Sequence, residues 1–69
     1  IEINPNYSES YFNKGNSLVN LNEYNEAIIS YNNAIRINPN NSEAYFRKGC
    51  SLNSLSKYDE AIISFNKAI

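Results

Sequence analysis

The sequence repeats itself with a period of 34 residues. Residues 1–35 laid over residues 35–69 are identical at 23 of 35 positions, and the identities concentrate in residues 4–18 and 24–30. A fixed period of this size is typical of repeat arrays. We therefore expect a first unit over residues 8–41 and a second over residues 42–69 that stops before its closing turn. Residues 1–7 are expected to be the tail of a preceding unit and the turn after it.

Composition excludes several classes of site. The 69 residues include one cysteine and no histidine, which argues against a disulfide framework and against a zinc site. The net charge of −1 provides no broad positive field for nucleic-acid phosphates. No apolar run approaches the length of a membrane span, and no signal-peptide pattern opens the chain. We expect no metal, no cofactor, no nucleic-acid or membrane partner, and a cytoplasmic location.

The spacing of apolar residues predicts two helices in each unit. The first helix of unit one carries apolar or small residues at spacings of 4, 3 and 3, and the second follows the i, i+3, i+4, i+7 pattern. These positions are Tyr11, Gly15, Leu18 and Leu21, then Tyr24, Ala27, Ile28, Tyr31, Ala34 and Ile35. Helices are expected over residues 8–21, 25–37, 42–55 and 59–69. Connections this short make each pair antiparallel.

Capping patterns mark the predicted helix starts. Proline cannot continue a helix from within, so residues 4–6 and 38–40 are expected to be turns. A capping box pairs a polar N-cap residue with an acidic residue three positions later. The sequence offers one at the end of each of these two turns and a third between the two helices of unit two. The boxes are Asn6 with Glu9, Asn40 with Glu43, and Ser56 with Asp59, and Ser8 and Ser42 are alternative caps.

Small residues recur at fixed places in both units. Gly15 and Gly49 lie on the expected buried side of the first helix, and Ala27 and Ala61 lie on that of the second. A glycine inside a helix costs about 1 kcal/mol relative to alanine, so its recurrence needs a packing reason. We expect these residues to mark tight contacts where two helix backbones approach closely.

The combined pattern resembles the tetratricopeptide repeat family. That family has a 34-residue period with W-x2-L-G-x2-Y, then A-x3-F, then P. This sequence has Tyr11-x2-Lys14-Gly15-x2-Leu18, Ala27-x3-Tyr31 and Pro39, and then Tyr45-x2-Lys48-Gly49-x2-Leu52 and Ala61-x3-Phe65. Lysine before each glycine and leucine three residues after it depart from the pattern, in both units alike. The resemblance implies an all-α fold of antiparallel helix-turn-helix repeats stacked as an α-solenoid, serving as a protein–protein interaction scaffold.

The first helix of each unit has a second, more polar side. At about 100° per residue, Tyr45, Gly49, Leu52 and Leu55 define one side of that helix in unit two. The opposite side carries Glu43, Phe46, Arg47, Cys50, Asn53 and Ser54, and its equivalents in unit one are Glu9, Phe12, Asn13, Asn16, Val19 and Asn20. Tetratricopeptide proteins line a concave groove with this side, so the resemblance implies that these twelve residues contact a peptide or protein partner. The alternative is a merely hydrated helix surface, against which the recurring Phe12 and Phe46 argue.

A narrower alternative is a receptor for a terminal carboxylate. Family members that bind chaperones hold such a carboxylate with lysine, asparagine and arginine side chains from three successive repeats. If the two units are the second and third of such an array, Asn13 and Arg47 match, but Glu43 stands where a lysine is needed. If unit one is the first repeat, Asn16 matches and Phe12 replaces the lysine. The resemblance to this subgroup is therefore partial.

Other functions find less support in the residues. The carboxylates are scattered instead of converging on a pocket, and the two glycines form no phosphate-binding loop, so we expect no enzymatic activity. A lone helical cysteine such as Cys50 is usually a small tolerated residue. RNA reading by related helical-hairpin repeats and a purely structural, self-assembling repeat remain as alternatives.

The last helix is expected to present an uncovered surface. In such arrays each second helix is covered by the first helix of the next unit, and about three stacked units are needed for stability. Phe65, Ala68 and Ile69 should therefore be partly uncovered, while Ile29 and Ile63 lie far from the apolar stripe of their helices. We expect self-association through this uncapped C-terminal helix. End-to-end stacking and a symmetric dimer are the two possible arrangements.

Overall fold

The computed structural model describes the backbone of residues 5–69 and the side chains of residues 7–69. These residues form four helices and no strand: α1 (Pro5–Asn20), α2 (Tyr24–Ile37), α3 (Ser42–Ser54) and α4 (Tyr58–Ala68). Helix α1 packs against α2, α3 packs against α4, and α3 also lies on α2. The prediction of an all-α fold of helical hairpin repeats is confirmed. Predictions for residues 1–4 lie outside the described part.

Both hairpins turn through the same backbone motif. Asn22 follows α1 with a φ of 61°, and Ser56 follows α3 with a φ of 63°. The N–H of Glu23 donates to the carbonyl of Leu18 over 2.8 Å, a bond that spans five residues and is repeated after α3. This is a Schellman motif, in which one left-handed residue satisfies the last carbonyls of the helix. The motif reverses the chain within three residues, so the helices of each hairpin run antiparallel.

None of the three predicted capping boxes is formed, and the first fails because Asn6 lies inside α1. Ser56 is the left-handed residue of the second motif, and α4 begins after Lys57 without a side-chain cap. Helix α3 is capped by Asn41, whose side-chain oxygen accepts a hydrogen bond from the Ala44 N–H over 3.0 Å, and not by Asn40. The prediction chose the wrong one of two adjacent asparagines, Asn40 and Asn41, because either of them can cap a helix.

Helix α1 begins earlier than its predicted start near residue 8. Pro5 is its first residue, so Pro5 and Asn6 belong to the helix and not to a turn. Proline suits the first turn because its missing N–H has no intrahelical partner there in any case. Ser8 is consequently inside the helix and is not a cap. Its hydroxyl is buried and donates to the carbonyl of Ala34 in α2 over 2.9 Å, which ties the two helices together.

The core is built mainly from small side chains and one large ring. Its buried apolar residues are Ala27, Tyr31, Ala34, Ala44, Leu52 and Ala61. The burial of Ala27 and Ala61 agrees with the sequence prediction. Leu21, which was assigned to the buried side of the first helix, is 71% exposed because α1 ends at Asn20 and the chain turns away there.

The recurring glycines approach aromatic rings, not a helix backbone as predicted. A Cβ atom added to Gly15 would lie 2.6 Å from Cε1 of Tyr31, and one added to Gly49 would lie 2.6 Å from Cε1 of Phe65. Real Cβ atoms essentially never show such a distance, so glycine is required for the ring to pack this closely on the helix. Gly15 therefore packs on Tyr31, and Gly49 packs on Phe65. In each unit the aromatic residue follows the buried alanine by four positions.

We expect Gly15→Ala to destabilise the protein more than Gly49→Ala. Overpacking costs roughly 1–3 kcal/mol, and the gain in helix propensity returns about 1 kcal/mol. Tyr31 is fully buried and cannot move away, whereas Phe65 is half-buried and can rotate outward. Urea unfolding of the two variants should therefore show a net loss of about 1 kcal/mol for Gly15→Ala and a change near zero for Gly49→Ala. A Gly15→Ala variant more stable than the wild type would contradict this contact.

Candidate functional site

An open cavity of about 230 Å³ lies between α1 and α3, and we call it the groove cavity. Side chains from both helices line it, and α2 contributes two aromatic residues. The lining residues are Asn16, Val19, Asn20, Tyr24, Tyr31, Phe46, Arg47, Cys50, Ser51 and Ser54. The surface combines apolar and aromatic carbons with amide, hydroxyl and guanidinium donors, and none of the described carboxylates lines it.

Seven of the twelve predicted contact residues meet around this cavity. They are Asn16, Val19, Asn20, Phe46, Arg47, Cys50 and Ser54. The other five do not line it: Glu9, Phe12, Asn13, Glu43 and Asn53. Of these five, Phe12 is half-buried and the remaining four are exposed. The predicted contacts were grouped by their angle around a single helix. The cavity, however, lies only where α1 and α3 face one another, so residues elsewhere along these helices do not line it.

Three lining residues were not among the predicted contacts. Tyr24 and Tyr31 come from α2 and had been assigned to its apolar stripe, and Ser51 lies next to Cys50 on α3. Ser51 is only 1% exposed, and its Oγ has no hydrogen-bond partner among the described residues. A comparison of the two units could have indicated that Tyr31 reaches the cavity. Unit one pairs Tyr31 with Asn16, and unit two has Phe65 and Cys50 at the same two places.

A short hydrogen bond holds the Asn16 side chain at the cavity. The Tyr31 hydroxyl donates to Oδ1 of Asn16 over 2.6 Å, at the short end of O–H···O bonds. With its oxygen used in this way, the Asn16 amide has its NH2 group left for another partner. Burial raises the pKa of the Tyr31 phenol, an effect that nearby Arg47 partly offsets. The phenol therefore stays protonated and acts as the donor at neutral pH.

Among the described residues, Arg47 is the one cationic side chain that lines the groove cavity. Its Nε donates to Oε2 of Glu43 one turn earlier over 3.3 Å, and both side chains are about half exposed. An exposed pair of this kind contributes little to stability. Because only Nε is engaged in this pair, the terminal nitrogens of Arg47 can turn toward a ligand.

The two phenylalanines of the predicted contact face pack onto the following helix in each unit. The ring of Phe12 lies 5.9 Å from that of Tyr31, and the ring of Phe46 lies 5.7 Å from that of Phe65. Both pairs are tilted, which is a favourable aromatic geometry. Phe46 nevertheless keeps half of its surface exposed. It therefore presents an anchored aromatic ring to the solvent at the edge of the groove cavity.

Other kinds of site are not formed by the described residues. Within residues 5–69, no three His, Cys, Asp or Glu side chains are grouped closely enough to hold a metal ion. None of the four helices has both the length and the apolar character that crossing a bilayer requires.

The comparison with known families agrees with the structure. Two sequence models of the Tetratricopeptide repeat family match the chain, one over residues 8–41 and the other over residues 30–63. No curated protein matches the chain. Tetratricopeptide repeats are generally scaffolds for protein interactions and are typically non-catalytic. The period, the helical hairpins, the Gly–aromatic contacts and these matches agree, and the chain belongs to the tetratricopeptide repeat family.

Proposed function

We propose that the chain binds an extended segment of a protein partner along the face shared by α1 and α3, with the groove cavity as its centre. The observation that supports this most is the cavity itself, where an exposed aromatic ring and a set of hydrogen-bond donors converge between α1 and α3. Recognition surfaces of proteins are enriched in aromatic residues and arginine, and Phe46 and Arg47 provide both.

The size of the groove cavity favours a peptide side chain over a small molecule. Small-molecule sites enclose roughly 300–1,000 Å³, whereas this cavity encloses about 230 Å³ and is open. One side chain of a bound segment would fill it, while the neighbouring backbone lies over the two helices. Glu9, Phe12, Asn13, Glu43 and Asn53 lie on the same helices outside the cavity and would contact the flanking residues of the segment.

The donors at the groove cavity suggest what that side chain contains. Among the described residues, the NH2 group of Asn16 and the terminal nitrogens of Arg47 have no hydrogen-bond partner. A side chain with acceptor oxygens would satisfy them, and its carbon atoms would pack on Val19 and Tyr24. The lone arginine is a poor basis for RNA binding, which needs a positively charged surface. Glu43 beside Arg47 likewise argues against a receptor for terminal carboxylates.

Binding of selected peptides tests this proposal. Peptides enriched from a phage-displayed library of random linear sequences on the wild-type protein should bind Arg47→Glu and Phe46→Ala at least tenfold more weakly, a loss of about 1.4 kcal/mol. Truncation of an aromatic or arginine anchor commonly costs this much or more. Affinities measured by fluorescence anisotropy give the comparison.

Arg36→Glu is the matched control for Arg47→Glu. Arg36 is exposed on α2, away from the groove cavity, and its replacement changes the net charge by the same amount. It should leave the affinity unchanged. Both arginine variants should keep the circular-dichroism melt of the wild type, while Phe46→Ala should lower the melting temperature slightly because the ring of Phe46 packs on Phe65. Equal affinities for Arg36→Glu and Arg47→Glu would mean that the groove cavity does not bind the peptides.

Two further points belong to the proposal. We assign residues 8–41 to one repeat and residues 42–69 to a second, with residues 1–7 as the tail of a preceding one. We also propose that the chain associates with itself through α4. Large apolar side chains support this, because Tyr58, Ile62 and Ile63 are all more than half exposed on that helix.

A further inference from the structure

Two isoleucines are exposed outside the apolar stripes of their helices. Ile29 on α2 is 54% exposed, and Ile63, its counterpart on α4, is 56% exposed. Helix α2 contacts both α1 and α3, so Ile29 is exposed although a helix packs on either side of α2. The exposure therefore belongs to this position within the repeat and does not depend on how many repeats are stacked.

Each isoleucine has the same neighbours in both units. Ile63 lines a small open cavity of about 130 Å³ together with Lys48, Leu52, Glu60 and Ser64. The same five residue types occupy the corresponding positions of unit one, namely Lys14, Leu18, Glu26, Ile29 and Ser30. The two lysines are the residues before each glycine that depart from the family pattern. Both departures, the lysine and the exposed isoleucine, therefore lie on one surface.

The charged neighbours lie at opposite ends of this surface along the hairpin. Glu60 is the third residue of α4 and lies near the turn, whereas Lys48 lies six residues before the end of α3, about 9 Å from the turn. Side chains lean toward the N-terminus of their own helix, so those of Glu60 and Lys48 lean apart in an antiparallel pair. Glu26 and Lys14 have the same offsets from the turn of unit one.

The surface thus has an acidic edge, an apolar middle and a basic edge. We call it the isoleucine face, and its residues are Glu26 and Glu60 at the acidic edge, Ile29 and Ile63 in the middle, and Lys14, Lys48 and Lys67 at the basic edge. All are exposed except Lys48, which is half-buried and whose pKa is lowered by this burial and by nearby Lys67. Within residues 7–69, none of these charged groups forms an ion pair. Its charges are therefore available to a partner.

We infer that the isoleucine face binds the isoleucine face of a second copy of this chain, related by a two-fold axis that crosses the helices along the line of the isoleucines. The rotation reverses the helix direction, so the acidic edge of each copy meets the basic edge of the other. Glu60 precedes Ile63 by three residues and Lys67 follows it by four, which places the two charges about 4.5 and 6 Å from the isoleucine along the axis. Opposite charges therefore coincide when isoleucine meets isoleucine.

The arrangement is specific because its alternatives place like charges together. Two isoleucine faces whose helices run parallel would set carboxylate against carboxylate and ammonium against ammonium, which is costly at an interface. The two-fold contact uses the same surface on both copies and leaves none of it free, so the assembly stops at two chains. This inference rests on the proposed self-association and assigns it to the side of α4 that carries Ile63.

Sedimentation equilibrium over a wide concentration range tests the apolar middle of the face. The wild type should approach twice its mass of 7.9 kDa as its concentration rises. A variant with Ile29→Asn and Ile63→Asn should dimerise at least about tenfold more weakly. Ile62→Asn is the matched control, because Ile62 is also 56% exposed but lies about 100° further round α4. It should dimerise like the wild type.

Charge reversal tests the two edges. A basic variant carries Glu26→Lys and Glu60→Lys, and an acidic variant carries Lys14→Glu, Lys48→Glu and Lys67→Glu. Each should be monomeric alone, because both edges of its isoleucine face then have the same sign. Mixed in equal amounts, the two variants should form a one-to-one complex, since the acidic edges of one face the basic edges of the other.

A second double variant controls for net charge. Glu9→Lys with Glu43→Lys changes the charge by as much as the basic variant does, but both positions lie about 140° round their helices from Lys14 and Lys48. This control should still dimerise. Circular dichroism of every variant verifies that the helices are retained.

The contrary outcomes separate the inference from the proposal on which it rests. If the Ile29→Asn, Ile63→Asn variant dimerises like the wild type, or if Ile62→Asn does not dimerise, the isoleucine face is not the contact, although self-association through α4 would stand. A basic variant that dimerises as well as the net-charge control, or a mixture without a complex, would overturn the two-fold arrangement. A wild type that stays monomeric at every concentration would overturn the proposed self-association as well.

Discussion

Ala27→Leu is expected to lower the free energy of unfolding by about 3 kcal/mol, at the upper end of the usual cost of overpacking a core. Ala27 has no exposed surface and lies on α2, which is enclosed between α1 and α3. Three added carbon atoms have no space there unless one of the two neighbouring helices moves. A chain of 69 residues has a total stability of roughly 3–10 kcal/mol, so the variant should lose between about a third and all of its stability.

Two matched substitutions control this experiment. Ala61 is the counterpart of Ala27 on α4, which among the described helices packs only against α3 and can shift, so Ala61→Leu should cost less, about 1–2 kcal/mol. Asn32→Leu adds a leucine at an exposed position of α2 and should change stability by less than about 0.5 kcal/mol. Urea unfolding of the three variants gives the order. An Ala27→Leu variant as stable as Asn32→Leu would show that the packing around α2 is wrongly assigned.

Asn16→Cys is expected to cost about 1–2 kcal/mol and to be rescued by Tyr31→Phe. The single change removes the acceptor of a buried hydroxyl, and an unsatisfied buried donor costs roughly 1–3 kcal/mol. The double variant recreates the pair that unit two already carries, with Phe65 and Cys50 at these positions. Removing both hydrogen-bonding groups is often nearly neutral, so the double variant should regain most of the lost stability.

A double-mutant cycle measures this coupling. The wild type, the two single variants and the double variant are unfolded in urea, and a coupling of about 1 kcal/mol is expected. Tyr58→Phe serves as the control for loss of a tyrosine hydroxyl, since Tyr58 is exposed and its hydroxyl makes only a long 3.4 Å contact with Ser56. If the costs of the two single changes simply add in the double variant, the Tyr31–Asn16 bond does not stabilise the groove.

The 34-residue repeat was sufficient to predict the four helices, but not their exact ends. Identical residues at the same offset, such as Gly15 and Gly49, indicated the hairpins and their buried sides. The start of α3 at Ser42 was predicted, but its cap was assigned to Asn40 instead of Asn41 because both asparagines are good caps. The start of α4 was misread because the spacing of Ser56 and Asp59 fits a capping box, whereas Ser56 closes the preceding helix. A spacing rule cannot distinguish these roles, which depend on whether the backbone enters the left-handed region.

The groove was predicted only in outline for a related reason. Angles around a single helix placed Asn16 and Arg47 on one face, and the structure brings both to the groove cavity. The same angles could not show that Tyr31 reaches this cavity from α2. Tyr31 belongs to the apolar stripe of its helix, and packing in the core was a sufficient explanation for an aromatic residue there. Nor could these angles show that Asn13 and Asn53 lie outside the cavity. Contacts between helices depend on crossing geometry, which a single-helix projection does not contain.

Mapping a bound peptide by nuclear magnetic resonance tests the central claim most directly, namely that the face shared by α1 and α3 is the recognition surface. Uniformly 15N-labelled wild-type protein is titrated with a peptide enriched from the random library, and the amide shifts are followed residue by residue. The account predicts that the largest changes occur at residues of the groove cavity, with Asn16, Asn20, Arg47 and Cys50 among them. Changes concentrated on α4, with these four amides unaffected, would contradict it.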